Sequence, residues 1–227
     1  VPDIVTAGLD TVAIRIPANE VALSLIKAAG RPVAAPSANL FGRPSPVTAQ
    51  QVLDDLDGKI DIVIDGGRTV IGVESTVVDL TQSPPTILRP GGISRERLRE
   101  IMPQVRIYRQ GKILAPGMYP RHYAPHAKVA IVEGDGEVQV EKVIKAASEF
   151  YKQGYQVGIM AKEEHKKMYK GNVKSLGPGS NLTICAANLF SILREFDREG
   201  VDIIIIEGVI EEGIGMAIMD RLRKAAG

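Results

Sequence analysis

The stretch LTICAANLFSILREFDRE (residues 182–199), followed by Gly200 and VDIIII (residues 201–206), decides the architecture of half the chain. The first piece has the length and mixed composition of a long helix. The second, interrupted only by Asp202, fits a buried strand. Working outward, Val129 to Val132 and Val157 to Met160 read as further strands, Val138 to Gln153 as the helix between them, and about Gly215 to Ala226 as a closing helix. Strands alternating with helices predict a parallel sheet in a three-layer α/β arrangement.

The whole chain has 227 residues, 44% of them hydrophobic and 24% charged, which argues against disorder. One cysteine, Cys185, rules out an intramolecular disulfide framework, and a count of three histidines argues against a protein-ligated zinc site. Aromatic content of 4%, with no Trp, weighs against a base-stacking single-strand binder. A net charge of +1 gives the molecule no strong pull towards nucleic acid or anionic membrane. No 18-residue apolar run is present, so a cytoplasmic setting is expected. The chain opens at Val1-Pro2-Asp3 rather than at Met, as though its sequence began upstream.

Proline marks an internal boundary, since all but one of the 14 prolines lie at or before Pro125. Charge type changes at the same place. Up to Pro125 there are 11 Arg and 3 Lys against 12 acids, and beyond it 4 Arg and 10 Lys against 15 acids. The planar fork of Arg suits carboxylates and phosphates, so the first part is the better candidate for small anions. In that part, Thr11 to Ile16, Pro32 to Ala35, Ile60 to Ile64, Val73 to Leu80 and Thr86 to Leu88 read as strands. Helices are predicted at Glu20 to Ala29, capped by Asn19, through Leu56, capped by Thr48, and from Arg95 to about Ile101, capped by Ser94. Gln104 to Pro125 reads as a linker.

Several segments could carry chemistry. Ser37 and Asn39, two apart in Ala35-Pro36-Ser37-Ala38-Asn39, would point the same way from an extended backbone. The prolines of Gly42-Arg43-Pro44-Ser45-Pro46 limit the entropy lost on gripping a ligand. Gly72-Val73-Glu74-Ser75-Thr76 brings three hydrogen-bonding groups into an apolar strand. Arg89, in Leu88-Arg89-Pro90-Gly91-Gly92, could clamp a phosphate or carboxylate with two parallel bonds. Thr11 and Arg15 share a strand face. The linker's Tyr119, Arg121, His122 and Tyr123 make an unusual cluster that could fold over a site. Walker A, Gly-x-Gly-x-x-Gly and Gly-x-Ser-x-Gly patterns are all missing.

Together, residues 6–15, 35–39, 42–48, 72–79 and 88–93 resemble the YrdC-type domain of threonylcarbamoyl-adenylate synthases. Arg121-His122-Tyr123-Ala124-Pro125 and the α/β part after it resemble the linker and C-terminal domain of that family's two-domain members. The resemblance implies an α/β protein: a twisted-sheet YrdC-like domain at 1–103, incomplete at its N-terminus, a linker at 104–127, and a smaller Rossmann-like parallel domain at 128–227. It implies a nucleotidyltransferase that joins L-threonine, bicarbonate and ATP, with Mg²⁺, into threonylcarbamoyl-AMP. A threonylcarbamoyl transferase complex would then modify adenosine 37 of tRNA. Thr11, Ser37, Ser45, Arg89 and Tyr123 would contact ATP; Arg15, Ala35 and Ser75 would contact threonine. Arg15, Ser37, Asn39 and Arg89 would carry catalysis, with Asn39 serving the phosphates or the metal. A segment that family members carry before the stretch matching Val1, with a Lys-x-Arg element that grips ATP, has no counterpart here, so this chain alone is expected to show little activity. The alternative is an RNA-binding module of the same type, with weak tRNA binding.

Overall fold

Ile203, Ile205 and their neighbours Ile204 and Ile206 point to opposite faces of a parallel sheet, and both faces are buried. A computed structural model describes residues 1–109 and 111–227. Gln110, within the expected linker, lies outside the described residues.

In the second half, β4 (Lys128–Val132), α5 (Gly136–Lys152), β5 (Val157–Lys162), a 3-10 turn (Glu163–Met168), β6 (Asn172–Gly177), α6 (Leu182–Arg198), β7 (Ile203–Glu207) and α7 (Gly215–Ala226) follow in order. The strands lie β4-β7-β5-β6 and every pair is parallel. Val140, Val143 and Ala147 of α5 cover one face with Ile203 and Ile205. Leu189, Leu193 and Phe196 of α6 and Ile218 and Leu222 of α7 cover the other with Ile204 and Ile206. Two covered faces explain the unbroken isoleucine run, because a strand buried on both sides needs no alternation. The sequence reading of this half holds, but it omitted β6 and the turn before it, whose polar residues carry little periodicity.

The first half differs more from expectation. It contains α1 (Asp3–Thr6), α2 (Glu20–Ala29), α3 (Ala49–Leu56), β1 (Val77–Asp79), β2 (Thr86–Arg89), α4 (Arg95–Arg99) and β3 (Arg106–Ile107). The caps are as read: Asn19, Thr48 and Ser94 side chains accept from Ala22, Gln51 and Arg97 backbone N–H groups. Three predicted strands, at Thr11 to Ile16, Pro32 to Ala35 and Ile60 to Ile64, are corrected: these residues make no strand pairing. An apolar pattern chooses which face of a strand is buried, but a ladder also needs a neighbour to bond with. No residue before Pro44 is buried, and Ile4, Ile14 and Ile16 are almost fully exposed. The small sheet β1-β2-β3 pairs β1 with β2 antiparallel and β2 with β3 parallel, so part of the expected linker is a strand.

Helices α6 and α7 join the halves. Arg194 bonds both oxygens of Asp55 and the Pro44 carbonyl, Arg43 pairs with Asp197 at 2.8 Å, and Gln51 Nε2 donates to Ser191 at 3.3 Å. No described helix is long and apolar enough to cross a membrane.

Candidate functional site

The Leu88–Gly92 turn and the Gly72–Thr76 loop lie backbone against backbone. The β1–β2 pairing sets Val77 opposite Arg89, so Glu74 and Ser75, just before β1, fall beside the turn after β2. Gly92 N–H donates to the Glu74 carbonyl at 3.2 Å. A Cβ on Gly91 would collide with Glu74 O, Ser75 C and Thr76 N, so only glycine permits this approach.

Arg89 is the centre of the arrangement and is buried. Its Nε and Nη2 donate to the Ser75 carbonyl at 3.2 and 2.9 Å, and its Nη1 to the Pro116 carbonyl of the connecting strap at 3.0 Å. All its acceptors are neutral. Burial, with Arg221 nearby, lowers its hold on the proton, while Tyr123 and Glu74 act the other way. Glu74 lies against the same turn but is taken up elsewhere: Oε1 accepts from Ser45 Oγ at 2.5 Å and Oε2 from Arg221 Nε at 2.7 Å. Burial works to raise the Glu74 carboxyl, yet Arg221 and Ser45 outweigh it and hold it below its ordinary 4.5.

The strap crosses over this cluster. Lys224 Nζ donates to the Gly117 carbonyl at 2.7 Å, His122 N–H to the Lys224 carbonyl at 3.0 Å, and Ala124 N–H to the Gly42 carbonyl at 2.8 Å. Tyr123 is 1% exposed, its ring 5.4 Å from Phe190 and 5.1 Å from the Arg221 guanidinium carbon. His122 packs at 4.1 Å on Tyr123 and its buried Nδ1 has no partner. Burial, helped by Lys224, Arg221 and Arg89, keeps its imidazole below the usual histidine range, so it is neutral near pH 7.

Of the residues expected to form a site, the structure brings together Ser45, the Ser75 carbonyl, Arg89 and Tyr123. Thr11, Arg15, Ala35 and Ser37 are exposed, and among the described residues no hydrogen bond or ion pair ties the Thr11, Arg15 or Ser37 side chain to this cluster. Asn39 donates to the Leu40 and Arg43 carbonyls, while its buried Oδ1 has no partner. A shallow hollow of about 450 Å³ beside the cluster is lined by Pro90, Ile107, Pro120, Met216, Asp220 and Lys224, among others, and contains none of the expected site residues.

Sequence reasoning missed Glu74 as an organising group, although its motif was singled out, and it missed Arg221 and Lys224 altogether. Nothing in a Lys- and Arg-bearing terminal helix distinguishes a side chain that crosses to another sheet from one in solvent. Among the described residues no group of three or more His, Cys, Asp or Glu side chains is placed to hold a metal.

Residues 93–227 match the family model described as "Threonylcarbamoyl-AMP synthase, C-terminal domain", and residues 1–91 match the one described as "Telomere recombination". The chain is similar to the threonylcarbamoyl-AMP synthase of Pyrococcus abyssi, at 47% identity over 100% of this chain and 67% of that protein. It is similar to the Bacillus subtilis protein of the same name at 45% identity, over 98% of this chain and 65% of the other. A crystal structure of P. abyssi Sua5 complexed with L-threonine matches with a TM-score of 0.94 at 46% identity, covering 100% of this chain and 67% of that one. The chain thus spans about two thirds of the length of the curated relatives it matches.

Proposed function

The chain belongs to the threonylcarbamoyl-AMP synthase family, and from that membership we propose that it serves the formation of threonylcarbamoyl-AMP and pyrophosphate from L-threonine, bicarbonate and ATP. In this reading it is a nucleotidyltransferase whose product passes to a threonylcarbamoyl transferase acting on adenosine 37 of tRNA. The observation that carries the proposal is Arg89: a buried guanidinium that donates to backbone carbonyls and lies beside the neutral Tyr123 side chain, with no ion pair to a carboxylate, beneath a strap that joins both halves of the chain. A buried cation without a carboxylate partner favours an incoming anion.

The chemistry asks little covalent work of the protein. The threonine amine adds to the carbon of bicarbonate with loss of water, giving a carbamate. A carbamate oxygen then attacks the α-phosphorus of ATP, the bond to the β-phosphate oxygen breaks, and pyrophosphate leaves with the electron pair. Catalysis is therefore positioning of two anions together and stabilisation of the charge that builds on the phosphate. Arg89 opposes that charge with its guanidinium, Ser37 donates to a phosphate oxygen, Ser45 borders the nucleotide while its one proton stays donated to Glu74, and Arg15 clamps the threonine carboxylate beside Ser75 and the small Ala35. Arg89 reaches the nucleotide by exchanging the Pro116 carbonyl for a phosphate oxygen, which requires the strap to shift, and Tyr123 closes over the nucleotide in the same movement. Mg²⁺ would travel with the triphosphate, bound mainly by phosphate oxygens and water. The unpartnered Asn39 Oδ1 is a hard oxygen that fits such a cation or its water shell.

The test is mass detection of threonylcarbamoyl-AMP from ATP, threonine and bicarbonate, using the protein at its natural length. Arg89→Ala is expected to cut product and pyrophosphate release by about 100-fold. Turnover close to that of the unsubstituted protein would refute the role given to Arg89.

A further inference from the structure

Arg221 is the largest of the fully buried side chains, at 1% exposure, and it belongs to the last helix of the second half, not to the elements that carry the expected site. Its Nε donates to Glu74 Oε2 at 2.7 Å, its Nη2 to the Pro90 carbonyl at 2.9 Å, and its Nη1 to Asp220. The guanidinium also lies 5.1 Å from the centre of the Tyr123 ring. One side chain from α7 therefore touches the Glu-Ser-Thr loop, the turn after Arg89 and the strap.

The charges enclosed here do not balance in the usual pairs. Among the described residues, Arg89, Arg221 and Lys224 converge with the carboxylates of Glu74 and Asp220 alone. Asp220 serves both Arg221 and Lys224. Both oxygens of Glu74 are used, one by Ser45 and one by Arg221. Yet Arg89 bonds the carbonyl of Ser75, the very next residue after Glu74, so Glu74 is the carboxylate best placed to capture it. An Arg–carboxylate pair at that point would fill the guanidinium with two charge-assisted bonds.

We infer that Arg221 is a positioning residue that holds Glu74 away from Arg89 and so keeps the Arg89 guanidinium available for an anionic group of the substrate. The inference rests on the function proposed above and adds to it the means by which the second half of the chain acts on the site. It accounts for the cost of burying a whole guanidinium in α7, and for Arg89 having only neutral acceptors.

The test measures ATP affinity by calorimetry, threonine affinity, and threonylcarbamoyl-AMP formation, in the protein at its natural length. Arg221→Met frees Glu74 to turn onto Arg89, and ATP binding should weaken by about tenfold or more while threonine affinity moves by less than about threefold. Adding Glu74→Gln to Arg221→Met removes the competing carboxylate and should restore ATP affinity to within about threefold of the starting protein. Arg221→Lys, which retains a cation beside Glu74, should also stay within about threefold. Arg221→Gln keeps a donor for the Pro90 carbonyl but no charge; it carries the methionine variant's expectation and decides the matter if that variant does not fold.

Unchanged ATP affinity in a folded, uncharged variant would overturn the inference. So would a double variant as weak as the single one, since a purely structural Arg221 would not be rescued by changing Glu74. An unsubstituted protein that binds ATP but forms no product would sink the functional proposal, while the order of affinities among the variants would still decide the role of Arg221. An unsubstituted protein that does not bind ATP would sink both.

Discussion

Arg194 grips Asp55 with both arms, Nη1 on Oδ1 at 3.0 Å and Nη2 on Oδ2 at 2.7 Å, across the contact between the two halves. Both side chains are more than nine-tenths buried, and Arg194 also donates to the Pro44 carbonyl next to Ser45. Helix α6 is thereby locked to α3 and to the loop that carries one of the expected nucleotide contacts.

Arg194→Ala is expected to be destabilising by about 3–5 kcal/mol, because it strands the Asp55 carboxylate in a closed interface. Denaturant unfolding followed by circular dichroism checks this. A loss below about 1 kcal/mol would mean that water reaches Asp55 freely.

The pH dependence of stability should carry the mark of Glu74. Its carboxyl is held below its ordinary 4.5 in the folded chain, so the unfolded chain binds protons more readily in acid. The stabilisation is complete above that ordinary value and is lost as pH falls through the lower folded value. Denaturation midpoints measured from about pH 6 down to about pH 3 should fall steeply, and Glu74→Gln should flatten the slope. A variant with an undiminished acid limb would contradict the assignment.

Gly91→Ala tests the close approach of the two loops. The added methyl would meet the backbone of Glu74, Ser75 and Thr76, which cannot turn aside as a side chain could. Stability is expected to drop by about 1–3 kcal/mol, and threonylcarbamoyl-AMP formation to fall by about tenfold or more as the Ser75 carbonyl is pushed off Arg89. Full activity with lowered stability would separate the packing from the chemistry.

Cys185 is expected to be inert in the native protein. Burial, with Glu164 adding to it, pushes its thiol up to about 11, and it is fully enclosed on the inner face of α6. An aromatic disulfide reagent at pH 8 should react only at the rate of unfolding. Rapid stoichiometric labelling without denaturant would show that α6 opens locally.

Legibility followed the range of the interactions involved. Asn19, Thr48 and Ser94 each accept from a backbone N–H three residues on, so those helix starts could be read locally. The isoleucines of 203–206 announced a strand covered on both faces. Ile14 and Ile62 gave equally good strand patterns and form none, since pairing depends on a neighbour that the pattern does not encode. At the site, the motif around Ser45 could be picked out by its flanking prolines, that around Glu74 because polar groups enter an apolar strand, and Arg89 because it stands between a strand and a tight turn.

By itself, then, the sequence determined the parallel sheet of the second half, the helix caps and the motifs that point to the family. These depend on spacing within one segment, where a few covalent bonds fix what can meet. The tertiary structure alone decided that Arg89 sits among carbonyls, that Ser45 and Arg221 share Glu74, and that α7 reaches across 147 positions to do so. Such contacts are set by the docking of whole helices, and no local pattern of residues carries that information.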